Sequence, residues 1–267
     1  MRPSVAIIIP VYGGVQLLKA CVQTLRMHTS WPYTLHLIDD CSPQADLREY
    51  LMEIETQGVW VHQAGYRRGF PGNCNWGVAQ TESPLICILN SDTEGLPRWL
   101  EALATTLLEA DDIGIVGARL VFPPTRGPRN AGRIQHAGVA MNVNGEPYHP
   151  FRQFNALATE VMQRREINAV TGACMLMRRG LWNQMRGFDE SFVGGQYEDI
   201  DFCHRVRRAG YRIIYQPKAV LYHYEHGSGE EHVYRTSARN RALLLEKWPN
   251  VPCDEHLFGI GVEEGDS

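Results

Sequence analysis

The run Val5-Ala6-Ile7-Ile8-Ile9 is apolar without a polar interruption. That is the pattern of a strand buried on both faces, and Pro10 is expected to end it. Leu17, Leu18, Cys21, Val22 and Leu25 then recur at spacings of three and four, which predicts a helix running out near Thr29-Ser30-Trp31-Pro32. A second strand is predicted over Thr34 to Ile38, then a helix carrying Leu47, Leu51 and Ile54, and a short third strand at Val59-Trp60-Val61. Residues 69–80 read as a loop entering a helix, ahead of the strand Leu85 to Leu89 and the polar stop Asn90-Ser91-Asp92-Thr93. Trp99, Leu103, Leu107 and Leu108 mark a further helix, and Ile113 to Val116 a further strand. Strand and helix alternating with short joints predict an α/β fold with a mostly parallel sheet. Right-handed crossovers in such a sheet gather the strand carboxyl ends along one edge, where ligands bind.

From Pro123 to about Arg165 the periodicity fades and Pro, Gly, Arg and Asn become dense, which predicts an excursion from the sheet forming part of a pocket wall. Regular patterning returns with Ala169 to Met177, an acidic helix start at Glu198-Asp199, strands at Tyr211 to Tyr215 and Ala219 to His223, and an amphipathic helix over roughly Tyr234 to Trp248. Residues 251–267 read as a C-terminal tail, frayed and acidic at its end. The 267 residues fit one domain over 1–250, with 1–122 and 123–250 as its two halves.

Composition narrows the classes. A formal charge of -4 and a pI near 6.2 disfavour a protein that grips polyanions, so no nucleic-acid partner is expected. No apolar run approaches the roughly 18 residues of a membrane span, and the start Met1-Arg2-Pro3-Ser4 lacks a signal-peptide layout. A cytoplasmic protein is expected, with peripheral attachment at the inner membrane face left open. The seven cysteines are scattered and form no CxxC, so buried free thiols are expected.

Three acidic clusters stand at strand ends or a helix start. Asp39-Asp40 either caps the next helix or accepts from a nucleoside base or ribose hydroxyl. Asn90-Ser91-Asp92 is either turn chemistry or a carboxylate for Mg²⁺ or Mn²⁺ that leaves positions open to phosphate oxygens. Glu198-Asp199-Ile200-Asp201 suits a helix dipole, yet three carboxylates in four residues exceed what capping requires. Their mutual repulsion would raise one pKa and poise a proton acceptor. The segment Gly65 to Gly72 is not a GxGxxG fingerprint and carries no Walker lysine, so it reads as a backbone turn near phosphate, with Arg67 or Arg68 either neutralising charge or solvated. His223 ends a strand, with His226 three residues on, and is a candidate for metal or diphosphate contact, whereas His136 and His149 read as structural.

Together these residues resemble glycosyltransferase family 2, with its GT-A fold. The matching pieces are Ile8-Ile9-Pro10-Val11-Tyr12, Ile38-Asp39-Asp40-Cys41-Ser42, Gly69-Phe70 through Asn73, Asn75 and Gly77, and Leu89 to Thr93. Thr171 to Cys174, Gly187 to Glu190, Glu198 to Asp201, Ala209-Gly210-Tyr211 and His223 follow in order. Gly13 replaces the usual Asn after Pro-Val-Tyr, and Asn90 stands where a DxD motif has its first Asp, as is common in the rhamnosyltransferase-like branch. Arg133 to Val139 resembles bacterial enzymes of O-antigen and other surface polysaccharide assembly.

The resemblance implies an inverting, metal-dependent hexosyltransferase. It moves sugar from a nucleotide-sugar donor to a hydroxyl of a glycan or lipid-linked saccharide, using Mg²⁺ or Mn²⁺. It implies Asp199 as catalytic base, and donor contacts at Pro10, Tyr12, Asp39, Asp40, Gly69, Asn73, Asn90, Ser91 and Arg235, with Arg239 as a second candidate on the same helix. Acceptor contacts fall at Gly172, Glu198 and Asp201, and metal contacts at Asp92 and His223. It also makes residues 1–122 the nucleotide-sugar half and 123–250 the acceptor-side half. The alternatives are a sugar nucleotidyltransferase, which would want a cationic residue in Val11-Tyr12-Gly13-Gly14-Val15, and a non-catalytic module binding nucleotide sugars or glycans.

Overall fold

The computed structural model describes residues 2–225 and 230–259, with side chains from 236 onward in the second segment. The first half follows the predicted alternation: β1 (Val5–Val11), α1 (Val15–His28), β2 (Tyr33–Asp39), α2 (Ala45–Glu55), β3 (Trp60–Gln63), α3 (Gly69–Ala79) and β4 (Leu85–Leu89). Pro10 does not end β1. The strand runs to Val11, with Pro10 in parallel register opposite Ile38. Strands β2, β1 and β4 lie side by side in parallel, with β3 along the free edge of β2. The carboxyl ends carrying Asp39-Asp40 and Asn90 to Asp92 therefore share one rim.

The chain continues through β5 (Thr93–Gly95), α4 (Trp99–Leu107) and β6 (Ile113–Val121). The excursion follows, comprising β7 (Ile134–His136), a small hairpin of β8 (Ala140–Met141) and β9 (Pro147–Tyr148), and β10 (Arg165–Ile167). Then come β11 (Cys174–Arg178), α5 (Arg179–Met185), α6 (Glu198–Arg208), β12 (Arg212–His223) and α7 (Glu230–Lys247). The two predicted strands after Tyr211 are one strand, β12, with a register irregularity between Gln216 and Val220. Among the described residues ten strands form one sheet, with main order β10-β12-β6-β11-β4-β1-β2-β3. The insertion of β11, antiparallel to both β4 and β6, makes it mixed.

Side-chain alternation along β1 explains the two-faced core. Val5, Ile7, Ile9 and Val11 pack with α1, α2 and α4, while Ala6 and Ile8 pack with α3 and α6. Helix α3 approaches the sheet closely at Gly77, where an added Cβ would stand 2.6 Å from Ile38 Cγ1. Any larger residue there would lift the helix whose first turn borders the rim.

Residues 251–259 are docked, in contrast to the predicted tail. The Asp254 carboxylate accepts from the Met141 N–H at 2.5 Å and from Asn168 Nδ2 at 2.8 Å, and Phe258 is buried against Phe151. Residues 260–267 lie outside the described residues. Among those described, no helix is long and apolar enough to cross a membrane.

Candidate active site

A cavity of about 770 Å³ opens at the sheet rim. Its lining brings together Tyr12 after β1, Asp40 after β2, the first turn of α3, Asn90 to Asp92 after β4, Gly172 before β11, the start of α6, and His223 at the end of β12. Gln135, Val139, Tyr148 and His149 of the excursion close one wall. Of the predicted site residues, Pro10, Tyr12, Asp40, Gly69, Asn73, Asn90, Ser91, Asp92, Gly172, Glu198, Asp199 and His223 are all in the lining.

Asp39, Asp201 and Arg239, whose side chains are described, are not. Asp39 is buried behind the rim, where its Oδ1 accepts the Ser42 N–H at 3.1 Å. Neighbouring residues leaving a strand point to opposite sides, so Asp40 alone of the pair reaches the cavity. Asp201 is fully buried away from the cavity, receiving Arg205 Nε at 2.8 Å, Trp248 Nε1 at 2.9 Å and Lys247 Nζ at 2.7 Å. Two residues of helix turn a side chain by about 200°, so Asp201 faces α7 when Asp199 faces the cavity. The side chain of Arg235 lies outside the described residues, and Arg239 is not in the lining.

Asp40 caps a helix while lining the cavity, though not the helix expected. Its two oxygens accept the N–H groups of Arg68 at 2.6 Å and Gly69 at 2.9 Å, so it caps α3, not the helix that follows β2. Arg67 lies 3.8 Å over the Tyr12 ring and 3.9 Å from the same carboxylate. The segment around Gly69 thus builds a cationic lip at this end of the cavity.

His223 Nε2 is 3.3 Å from Asp92 Oδ1 and 3.4 Å from Asn90 Nδ2. Its Nδ1 lies 3.2 Å from Gln135 Oε1, whose amide is oriented by Nε2 donating to Glu225 at 3.5 Å. With Gln135 Oε1 as acceptor, the Nδ1–H tautomer leaves Nε2 to accept from Asn90 Nδ2 and available to a cation lying between it and Asp92. One carboxylate oxygen and one imidazole nitrogen side by side suit a divalent cation completed by phosphate oxygens. No group of three or more His, Cys, Asp or Glu able to hold a metal occurs among the described residues, so any cation here would depend on the ligand for most of its coordination.

The start of α6 is held by strain and by hydrogen bonds. Tyr197 takes φ 72°, a left-handed conformation costly for a non-glycine residue, directly before Glu198. Gly195, at φ 84°, brings the backbone so close to Phe70 that an added Cβ would lie 2.8 Å from Phe70 Cβ. Asn240 of α7 ties the loop from below, donating to the carbonyls of Val193 and Gln196 and accepting the Val193 N–H. Asp199 Oδ2 accepts the Gly172 N–H at 2.7 Å and Oδ1 the Ile200 N–H at 2.8 Å. Burial raises the Asp199 pKa above the ordinary aspartate value, partly offset by those backbone donors. Glu198 is 3% exposed, and burial together with the Asp199 and Asp201 charges pushes its pKa well above the glutamate range.

His136 is structural, as expected, but what it supports could not be read from the sequence: fully buried, it accepts at Nε2 from the N–H groups of Gly138 and Thr171 and meets His149 Nδ1 at 3.1 Å through its Nδ1, stiffening the loop that carries Gly172. Burial, with the charge of Arg152, pushes His149 down to about 4, so that histidine is neutral at pH 7. A polar Asn240 four residues before the buried Leu244 was the available signal for the α7 anchor.

Eight buried side-chain polar atoms lack a partner among the described residues, and five of them, Arg68 Nε, Asn73 Oδ1, Asn90 Oδ1, Gln196 Oε1 and Glu198 Oε2, belong to residues lining this cavity. Unpaired buried polar groups are costly in a folded protein. Their concentration here marks a surface that a polar ligand completes.

The glycosyl transferase family 2 model matches residues 6–185, and the chain belongs to that family. Among its relatives, the protein y4gI of Sinorhizobium fredii is 32% identical over 90% of this chain and 26% of its own length. The O-antigen biosynthesis protein RfbC of Myxococcus xanthus is 29% identical over 85% of this chain, which spans only 18% of it. The N-acetylglucosaminyl-diphospho-decaprenol L-rhamnosyltransferase of Mycobacterium tuberculosis is 23% identical, covering 92% of this chain and 84% of that protein. Among solved structures, GalNAc-T7 with UDP, GalNAc and Mn²⁺ superposes with a TM-score of 0.74 at 16% identity, over 92% of this chain and 49% of that one. The mannosyltransferase PcManGT from Pyrobaculum calidifontis, in complex with GDP-Man and Mn²⁺, gives 0.63 at 16% identity, over 96% and 67%. The fold is GT-A, and the chain is a family 2 glycosyltransferase with relatives in polysaccharide biosynthesis.

Proposed function

We propose that the protein transfers a sugar, with inversion, from a nucleoside diphosphate donor to a hydroxyl of a glycan or lipid-linked saccharide in surface polysaccharide assembly. The observation that carries this is the meeting of Asp40, Asp92, His223 and Asp199 around one cavity whose lining concentrates unpaired polar atoms. Asp199 accepts the acceptor hydroxyl proton. The acceptor oxygen bonds to the anomeric carbon, the bond from that carbon to the phosphate oxygen breaks, and the nucleoside diphosphate departs. Backbone donors from Gly172 and Ile200 orient the carboxylate, and its raised pKa makes it a better base than a solvated aspartate.

Asp92 and His223 would hold Mg²⁺ or Mn²⁺, which, when bound, supplies charge neutralisation at the diphosphate. On the donor side Asp40 and Tyr12 border the nucleoside, and Arg67 supplies positive charge. Glu198, kept protonated by burial, offers a hydroxyl to a sugar oxygen beside the base. Both substrates would meet on the rim of one domain, at the cytoplasmic face. GDP-Man with one neighbour, UDP with another, and the lipid-linked acceptor in the name of the mycobacterial relative support the substrate classes. The test is a thermal-stability screen of UDP-, GDP- and dTDP-sugars with Mn²⁺, since a ligand that binds only the folded form raises its apparent stability. A stabilising sugar nucleotide that is then turned over with nucleoside diphosphate release is expected. Pyrophosphate release from a nucleoside triphosphate would assign the cavity to nucleotidyl transfer instead.

A further inference from the structure

The excursion between residues 123 and 165 carries six arginines against two glutamates, a local charge of +4 in a chain whose formal charge is -4. Arginines are not spread evenly through their contacts. Arg152 pairs with Glu225 and Arg164 with Glu109, but Arg126, Arg129 and Arg133 are exposed and join no ion pair among the described residues. Arg126 and Arg133 donate only to the backbone carbonyls of Glu225 and Gln153, which leaves their charge uncompensated.

The same surface exposes apolar side chains. Leu157 is 78% exposed, Phe154 43% and Met162 43%. They lie beside the arginines because the strand-like segments pair. Arg133 bridges Asn155, Ala156 donates to the Gly132 carbonyl, and Ile134 donates to the Phe154 carbonyl. Arg119 joins the Met162 sulfur to the Ala156 carbonyl, which brings Met162 to the same end. Three uncompensated cations flanking three protruding apolar side chains combine the two attractions of an anionic lipid surface. The cations meet headgroup charge, and the apolar tips enter the acyl boundary. A soluble polyanion would have no use for Leu157.

We propose that the face formed by residues 126–133 and 153–162 docks on an anionic lipid bilayer. The wall bearing it continues directly into Gln135 and Val139 of the cavity lining, so docking would set the cavity mouth close to the lipid. The inference rests on charge and exposure and is independent of the transfer reaction, so it stands or falls without an activity assay.

The test is co-sedimentation of the full chain with vesicles of phosphatidylcholine alone and of phosphatidylcholine with phosphatidylglycerol, at 0.1 M and 0.5 M salt. The expected result is binding to the anionic vesicles that weakens at high salt, despite the protein's net negative charge. Each arginine near such a surface is worth about fivefold in partitioning. The triple variant Arg126→Gln, Arg129→Gln, Arg133→Gln should therefore bind on the order of a hundredfold more weakly. Leu157→Asp should lose about tenfold, and as a change at an exposed side chain it keeps the test open if the triple variant folds poorly. The same charge removed elsewhere, with Arg48, Arg98 and Arg208 changed to Gln, should leave binding nearly intact. No wild-type binding to anionic vesicles at 0.1 M salt would overturn the proposal, as would equal losses in both triple variants. Binding to heparin as tight as to vesicles and indifferent to Leu157→Asp would assign the patch to a polyanion and also overturn it.

Discussion

Helix α6 puts two aspartates two residues apart into opposite situations. Asp201, fully buried, is answered by Arg205, Lys247 and Trp248 and ties α6 to α7. Asp199, on the cavity face, is held by backbone N–H groups and the Thr171 hydroxyl, with no ion pair among the described residues, next to a Glu198 whose Oε2 has no partner there. One face of the helix is finished by the protein; the other waits for a ligand. Acidic residues crowded at a helix start therefore do not share one purpose, and their partners decide which of them is chemical.

The largest expected effect falls on the unfinished face. Asp199→Asn should lower turnover by about 10² to 10⁴ with little change in melting temperature, as read from nucleoside diphosphate release beside a thermal scan. Asp201→Ala should invert that pattern. Removing one member of a buried ion pair costs about 3–5 kcal/mol, so the melting temperature should fall while any fraction still folded keeps its donor affinity. Similar turnover losses in both variants at equal stability would erase the distinction between the two faces.

A smaller effect is expected at the metal support. Gln135→Ala removes the acceptor that fixes the His223 tautomer, and loss of such a support typically costs 10- to 100-fold in metal affinity. Titration of Mn²⁺ against donor binding should show that shift while the donor affinity without metal holds.

The smallest effect is a gain. Glu198 keeps its proton in the folded protein at pH values where the unfolded chain has lost it, because its folded pKa is raised. Its contribution to stability is therefore present at low pH and is lost as pH rises above the ordinary glutamate value of about 4.3. Glu198→Gln, which cannot ionise, should raise the melting temperature at pH 7, with the advantage closing below about pH 4. Asp199 gives the matching kinetic sign. With Asp199 as the proposed base, the rate should fall on acidification through a pKa above the ordinary aspartate value.

Most of the first half of the fold was legible because its strands are short apolar runs and α1, α2 and α4 keep three-and-four spacing, whereas α3, rich in Gly and Asn, keeps none. Pro10 misled, since in a parallel strand beside β2 it continues the ladder as far as Val11. The direction of β11 could not be read, because a fully buried run such as Cys174 to Met177 looks the same pointing either way. At the site, Asp40, Asp92, Asp199 and His223 stood at strand ends or a helix start, where side-chain chemistry and topology agree. Asp39 and Asp201 differ because facing, not composition, decides their surroundings. Of the partners that claim Asp201, Arg205 stands one helical turn on and is readable from spacing, whereas Lys247 and Trp248 lie 46 and 47 residues further on. Asn240, His136 and Gln135 act by holding other residues in place, and no local pattern announces that.

The central claim is that Asp199 removes the acceptor proton in a cavity that binds a sugar nucleotide. Its most direct test is the rate of nucleoside diphosphate release by Asp199→Asn, measured with a sugar nucleotide and Mn²⁺ that stabilise mutant and wild type alike. The account predicts equal stabilisation and a release rate at least about 10²-fold lower; release near the wild-type rate would contradict it.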